Sequence, residues 1–298
     1  MSGVAASRME ADGSPLAVIC GAGSLPFALA DAVLKRGRRV VLFPIYGWAD
    51  SRRVHSYPHH WLAFGQFGSF CRIARSEGCQ EVVFLGSVVR PAIWQLRPDL
   101  KTLRLLPRVF QIFRGGDDHL LSGIASIFEE HGFRVIAVQE VAPEIVMPEG
   151  VLGRHRPKQQ DLADIDKGMA VLNAISSFDI GQAAVIGDGR VLALEAAEGT
   201  DQMLTRVAQL RQSGQIETGS SRGVLVKAAK RGQDLRLDLP SIGPRTIEGA
   251  VQARLAGIAV VAGSSLVANC ELLRQSADRE GLFVVGVRDK AVDHEFDR

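Results

Sequence analysis

The feature that most restricts the fold stands near the start of the chain. A short apolar run over residues 15–20 breaks into Gly21-Ala22-Gly23-Ser24-Leu25-Pro26. A helical stretch over 27–36 follows, closed by Gly37 as a left-handed cap, and a second apolar strand spans 39–44. Strand, glycine loop, helix, strand is the first unit of a doubly wound parallel sheet, because a parallel neighbour requires a crossover. The loop can hold an anion on backbone N–H groups, or it is a structural tight turn. It is not a dinucleotide fingerprint. Pro26 takes the third glycine position, and the first acid after the second strand, Asp50, lies well into the next loop. A nucleotide or phosphate loop is therefore preferred over an NAD site, which keeps an NAD-type sugar-nucleotide oxidoreductase or epimerase as the rival enzyme.

The alternation continues with a helix over 67–77 and a strand over 81–85 that ends in Gly86-Ser87-Val-Val-Arg90-Pro91. Arg90, at the carboxyl end of such a strand, is either an anion ligand in the sheet's crevice or a surface arginine beside a turn proline. The bulky apolar run 103–113, interrupted by Pro107, suits core packing, an acyl groove or a membrane face. Asp117 and Asp118, after Gly115-Gly116, are caps of a helix over 120–131 or carboxylates presented to a ligand. His55, His59 and His60 share a loop in which Pro58 denies them one helical face, so solvated histidines are expected rather than a metal cluster. A strand over 133–139 follows. The alternation stops near 142, and 143–148 has the composition of a linker. Residues 1–14 are expected to be a disordered tail, 15–142 an N-terminal domain and 143–298 a C-terminal α/β domain.

The second half opens with a basic, polar segment at 154–160 and a helix over 161–176 capped by Asp161 or Asp164. Strands over 182–187 and 190–196 are joined by Asp188-Gly189, a strong hairpin signal. Glu195, Glu198 and Asp201 then gather before a helix over 202–211, as Mg²⁺ ligands or as helix caps. Beyond a polar loop at 212–222, the stretch 224–243 carries the densest chemistry. An apolar strand ends at Lys227, Lys230 follows, and Asp234-Leu-Arg236-Leu-Asp238 alternates with the period of a strand before Pro240 and Gly243 break it. Lysines, an arginine and carboxylates packed this closely suit phosphate oxygens and a divalent metal or attacking water. A polar edge strand with surface ion pairs is the plainer alternative. Thr246 is placed to cap a helix through Ala256. A strand over 258–262, a helix near 269–277 and a strand over 282–287 complete the chain, giving the second domain a mixed sheet.

Composition excludes several classes. A chain of 298 residues suits two domains, and 46% hydrophobic with 6% aromatic residues suits an α/β core. A net charge of +2, from 35 basic and 33 acidic residues, argues against a nucleic-acid partner. Cys20, Cys71, Cys79 and Cys270 show no CxxC spacing, so free thiols in a reducing compartment are expected. No apolar run approaches the ~20 residues that span a bilayer. The expected location is the cytoplasm, in solution or at most resting on a membrane surface.

These motifs, in this order, resemble the metal-dependent UDP-2,3-diacylglucosamine pyrophosphatases of lipid A biosynthesis, in their two-domain form. The likeness runs from about Leu16 to Val287. It rests on GAGSLP at 21–26, GSVVRP at 86–91 (with Ser87 where the family commonly has Asn), RGGDDHLL at 114–121, ADIDKG at 163–168, DIGQ at 179–182, EAAEGTD at 195–201 and above all DLPSIG at 238–243. The resemblance implies a Rossmann-like N-terminal domain, a C-terminal catalytic domain and an active-site cleft between them, with the acyl chains in an apolar cavity. It implies Mg²⁺-dependent hydrolysis of the substrate's pyrophosphate to UMP and 2,3-diacylglucosamine 1-phosphate, by water attack on the phosphorus bearing the sugar. Asp238 is implied as the catalytic aspartate, holding metal or orienting water, with Asp201 and Glu195 completing the metal shell. Substrate contacts are expected from Gly21, Ala22, Gly23, Ser24, Leu25, Ser87, Arg90, Gly116, Asp117, Asp118, Gln182, Thr200, Lys227, Lys230 and Arg236. Contact with the inner membrane and pairing with a second copy are left open, and a non-catalytic nucleotide- or lipid-binding regulator is the rival outside enzymes.

Overall fold

The computed structural model describes residues 13–88, 96–113, 117–216 and 222–288. Arg90, Gly116 and residues 1–12 of the expected tail lie outside them, as do the side chains of Asp117 and Asp118. The chain divides into two compact units, residues up to 114 with 122–138, and 115–121 with 139–298.

In the first unit, β1 (Leu16–Cys20), β2 (Val40–Pro44), β3 (Glu81–Leu85) and β4 (Arg134–Val135) form a parallel sheet in the order β2-β1-β3-β4. Its central strand reads as an unbroken apolar run because both faces of a parallel sheet are covered. The intervening helices are α1 (Leu25–Lys35), α2 (Ser51–Val54), α3 (Phe67–Ser76), α4 (Leu100–Phe113) and, from Ser122 on, α5 (Asp117–Glu130); α6 (Val138–Val141), after β4, leads into the second unit. Outside β2 the sheet is extended by residues 58–62. Leu42 N–H bonds the Pro58 carbonyl at 2.9 Å and Tyr46 N–H bonds that of Leu62 at 2.9 Å. Beneath lies an aromatic core in which Phe70 meets Phe43 at 4.8 Å and Phe128 at 5.0 Å between ring centres.

The expected strand at 133–139 contracts to Arg134–Val135. Arg134 and Ile136 N–H bond the Gln80 and Val82 carbonyls at 2.9 and 3.1 Å, and beyond them Val138 is buried by packing as the chain turns into a short helix. The helix expected from residue 120 starts at Asp117, so Asp117 and Asp118 are its first two residues. The apolar run at 103–113 is the body of α4, with Pro107 inside the helix.

The second unit carries a mixed sheet in the order β5-β12-β10-β8-β6-β7. Its strands are β5 (Gly150–Val151), β6 (Ala183–Gly187), β7 (Arg190–Leu194), β8 (Val224–Lys227), β10 (Gly257–Val261) and β12 (Phe283–Val287). β8, β10 and β12 are parallel, while β6 runs antiparallel to both β7 and β8. A separate parallel pair joins β9 (Ser241–Ile242) and β11 (Leu266–Val267). Alternate residues feed the two faces. Val185, Leu225, Ile258 and Val284 pack with α8 (Gly199–Gln212), α9 (Pro244–Gln252) and α10 (Cys270–Glu280), whereas Ile186, Val224, Val226 and Ala259 pack on α7 (Gln159–Ile175). The β6–β7 turn has φ of 50° at Asp188 and 68° at Gly189, the left-handed pair that a tight hairpin requires.

The structure corrects three local expectations here. Asp234–Asp238 is a turn, not a strand, because Leu237 N–H reaches the Asp234 carbonyl at 3.0 Å and Arg236 folds back on the Asp234 carboxylate. The polar–apolar alternation is satisfied locally, with no partner strand. Thr246 stands inside α9, which starts at Pro244 and ends at Gln252; its hydroxyl accepts the Gly243 N–H at 3.2 Å. Asp161 lies in the first turn of α7 and accepts the Lys158 N–H at 2.8 Å, while Asp164 reaches across to the hairpin and accepts the Gly189 N–H at 2.7 Å. All four cysteines are free thiols, and burial pushes Cys20 up to about 12.

Candidate active site

Lys227 is the last residue of β8, so the strand itself carries the ammonium to the carboxyl edge of the sheet. The residue is only 7% exposed. Nζ donates to Thr200 Oγ1 at 2.9 Å and to the Ser241 carbonyl at 3.1 Å. The Thr200 hydroxyl, accepting from Lys227, donates onward to Glu195 Oε1 at 3.0 Å. Glu195 Oε2 accepts the Gln182 N–H at 3.0 Å, and the Gln182 side-chain amide donates to Asp238 Oδ2 at 3.0 Å. A second amide, from Gln233, reaches the same oxygen. Lys227, Thr200, Glu195, Gln182 and Asp238 thus form one connected chain of hydrogen bonds drawn from separate segments, with Glu195 accepting from both sides and Gln182 donating to both of its neighbours.

The electrostatics follow from that arrangement. Burial pushes the Lys227 pKa down, and the carboxylates of Glu195, Asp201 and Asp238 pull against it. An ammonium taken from water is costly unless paired and hydrogen-bonded. Here the hydrogen bonds come from Thr200 and Ser241, and the charge compensation comes from the ring of acids. The DIGQ segment can lie against Glu195 only because Gly181 has no side chain. A Cβ there would stand 2.2 Å from the Glu195 carbonyl oxygen, at a φ of +29°.

The remaining candidates of this unit sit around the chain of bonds. Lys230 pairs with Asp179 of the same DIGQ segment. Arg236 grips Asp234, with Nη2 to Oδ2 at 2.7 Å, and this hydrogen bonding holds the Asp234 carboxyl below its ordinary value. Asp201 pairs with Arg245 at 2.7 Å on a half-exposed surface, and Glu198 with Arg206 at 2.7 Å. Two participants escaped the sequence reading. Gln233 is buried, its Oε1 accepting the Lys230 N–H at 2.9 Å while its amide holds Asp238. An uncharged amide in a charged run carries no spacing signal. The Ser241 carbonyl is main chain, which residue types do not reveal.

In the first unit, two loops expected separately form one clasp at the carboxyl ends of β1 and β3. Gly21 N–H donates to the Leu85 carbonyl at 2.9 Å, Ala22 N–H to that of Ser87 at 2.8 Å, and Ser87 N–H returns to that of Ala22 at 3.0 Å. A Cβ on Gly21 would stand 2.6 Å from the Gly86 carbonyl oxygen, and Gly86 itself has φ of +100°. The N–H groups of Gly21 and Ala22 therefore serve the clasp. Gly23 and Ser24 are exposed beyond it, and Leu25 opens α1. The loop histidines bind locally, His59 Nδ1 to the Tyr57 carbonyl at 2.8 Å and His60 Nε2 to Glu77 at 2.9 Å.

Among the described residues, no three His, Cys, Asp or Glu side chains lie close enough together to hold a metal ion. Mg²⁺ is commonly held by one or two carboxylates, with water and substrate phosphates completing the shell. Asp238 and Glu195 each accept a hydrogen bond from Gln182, from its side-chain amide and its backbone N–H respectively, and are the carboxylates of this site that could serve in such a shell.

Comparison with known proteins covers both units. The LpxI N-terminal domain matches residues 15–145 and the LpxI C-terminal domain residues 148–285. UDP-2,3-diacylglucosamine pyrophosphatase LpxI of Caulobacter vibrioides is 42% identical over 272 residues, which is 91% of this chain and 97% of that protein.

Proposed function

The chain belongs to the LpxI family, and from that premise we propose that it is a hydrolase of the pyrophosphate bond of UDP-2,3-diacylglucosamine. The products are UMP and 2,3-diacylglucosamine 1-phosphate. Water adds to the phosphorus bearing the sugar, the bridging P–O bond breaks, and UMP departs with that bond's electron pair. The observation that carries the mechanism is the hydrogen-bonded chain from Lys227 to Asp238.

Asp238, held in one orientation by two side-chain amides, orients the attacking water and takes its proton. Lys227, fixed by Thr200 and Ser241, supplies positive charge to the phosphate oxygens as charge develops on them. Glu195 holds Thr200 and the Gln182 backbone in place, and Gln182 holds Asp238. Lys230 and Arg236 are further phosphate contacts, each already beside a carboxylate. Mg²⁺ would be held by Asp238 and Glu195, with the charge of Asp201 adding to the field, and when bound it would neutralise phosphoryl oxygens. The substrate is diacylated, so the reading includes work at a membrane surface.

Mass spectrometry of the purified protein with UDP-2,3-diacylglucosamine, in Mg²⁺ and in EDTA, tests the proposal. UMP and the sugar 1-phosphate are expected with metal only. Tight binding without products in any metal would favour a regulator, and neither binding nor products would overturn the substrate.

A further inference from the structure

Helix α4 presents an unusual face for a water-exposed surface. Thr102 and Ile112 are buried on its inner side. Leu100 and Leu103 point outward, 68% and 45% exposed, with Arg104 and Pro107 exposed on the same side at helical spacing. The helix contains Lys101, Arg104 and Arg108 and no acid. The acid just before it, Asp99, is turned into the protein. Its carboxylate accepts Ser69 N–H at 2.8 Å and Thr102 N–H at 2.9 Å. Lys101 lies over the Phe67 ring and Arg108 pairs with Glu130.

A second, aromatic feature adjoins the start of α4. Of the chain's three tryptophans and two tyrosines, Tyr46, Trp48, Tyr57 and Trp61 fall between residues 46 and 61. Tyr46, 58% exposed, stacks on Trp61 with ring centres 5.0 Å apart. The chain leaving Trp61 is hydrogen-bonded to the segment entering α4. Arg97 N–H meets the Phe64 carbonyl at 2.8 Å and Asp99 N–H that of Gly65 at 3.1 Å. Exposed leucines flanked by cations, beside a tyrosine–tryptophan stack in which Tyr46 is exposed and Trp61 part-buried, have the composition of an interfacial surface: aliphatic side chains for the acyl boundary, amphipathic rings for the head-group level and cations for anionic lipid.

We propose that the α4 face and the Tyr46–Trp61 stack together dock the protein on a bilayer bearing anionic head groups. The inference rests on the proposed function only for the reason a bilayer is present, namely a diacylated substrate. Exposed Arg104 on a helix without acids, with Asp99 turned inward and the neighbouring Glu130 taken up by Arg108, favours an anionic lipid surface over a neutral one or a second copy of this chain.

The test is co-sedimentation of the full chain, without substrate, with vesicles of phosphatidylglycerol and phosphatidylethanolamine and with vesicles of phosphatidylcholine alone. Binding is expected to the anionic vesicles and to weaken with added salt. The double variant Leu100→Ser/Leu103→Ser should lower it about tenfold, and Arg104→Glu by at least about fivefold. Both variants should hydrolyse detergent-dispersed UDP-2,3-diacylglucosamine at the wild-type rate. No binding to anionic vesicles, or binding that the variants leave unchanged, overturns the inference. Self-association that the leucine variants abolish, without vesicle binding, assigns the face to a second copy instead and also overturns it. Because vesicle binding is read without substrate, its failure is distinct from a failure of hydrolysis in detergent.

Discussion

The glycine clasp of the first unit and the lysine chain of the second both stand at the carboxyl ends of parallel strands, and they are made of opposite materials. The clasp is backbone alone, three N–H···O=C bonds between Gly21, Ala22, Leu85 and Ser87 that close because two residues lack a Cβ. The chain from Lys227 to Asp238 is almost entirely side chain, and its one glycine, Gly181, serves only to let Glu195 approach. A clasp of backbone fixes shape and holds no charge of its own. A chain of side chains holds charge in an orientation and depends on the sheet beneath it for shape. Small substitutions should therefore cost stability in the first region and turnover in the second.

The largest effect expected is on Asp238. Asp238→Asn keeps a side chain of the same size at the edge of a turn, so the melting temperature should stay near wild type while turnover falls by at least about 10³-fold. A variant that retains activity would remove Asp238 from the mechanism and leave the chain of bonds a structural feature. Lys227→Met comes next and marks where the contrast ends, because a buried cation serves both the chemistry and the fold. It strips the cation from beneath Glu195, Asp201 and Asp238, so it should lower both turnover and stability, the latter by about 3 kcal/mol. Denaturant unfolding of the variant checks this. An undiminished midpoint would mean that the acids do not need the ammonium.

Gly21→Ala is the counterpart in the first unit. The added methyl would press on the Gly86 carbonyl from 2.6 Å, and overpacking of that kind costs about 1–3 kcal/mol. Thermal unfolding should show the loss, while turnover per folded molecule measured below the transition should move much less than in Asp238→Asn. Equal losses of turnover in the two variants would break the comparison, because the clasp would then be contributing directly to the chemistry.

The same contrast explains what residue patterns could reveal. Strands β1, β2, β3, β8, β10 and β12 are legible because burial on both faces leaves apolar runs with no polar interruption. The β6–β7 hairpin is legible because two successive left-handed residues restrict the turn to something like Asp188-Gly189. The turn at Asp234–Asp238 was hidden, since local bonds to Asp234 replace a partner strand without changing the alternation. Of the site, the charged members could be nominated from charge density and motif. Their order of connection could not, because it depends on Thr200 acting as acceptor and donor at once and on a neutral amide at Gln233. The clasp shows the same limit: both glycine loops are visible as sequence, and their pairing across β1 and β3 is a fact of topology.

Glu81 offers a smaller, pH-dependent effect in the first unit. Burial alone would raise its carboxyl, but hydrogen bonds from Arg134 and Arg38 overcome that and hold it below the ordinary value. The folded pKa is the lower one, so the stabilisation is complete above the unfolded value and is lost as pH falls through the folded one. Glu81→Gln should flatten the acid side of a stability–pH curve below about pH 4.5, and an unchanged acid limb would remove Glu81 as its source.

Asp201→Ala should have the smallest effect on stability, and it tests how far the charged region reaches. Its carboxylate is half exposed and paired with Arg245, itself largely in solvent, so removing the pair should change unfolding free energy by less than about 1 kcal/mol. Yet Asp201 is one of the acids whose charge acts on Lys227. If the region works as a field around the ammonium and Mg²⁺, turnover of Asp201→Ala should recover at higher Mg²⁺ concentration, with the maximum rate little changed. Arg245→Ala, which frees Asp201 from its partner, should leave that titration where it is or move it the opposite way. A Mg²⁺ titration of Asp201→Ala that overlays the wild type would confine the functional charge to Lys227, Glu195 and Asp238, and would leave Asp201 as a first-turn acid favoured by the dipole of α8.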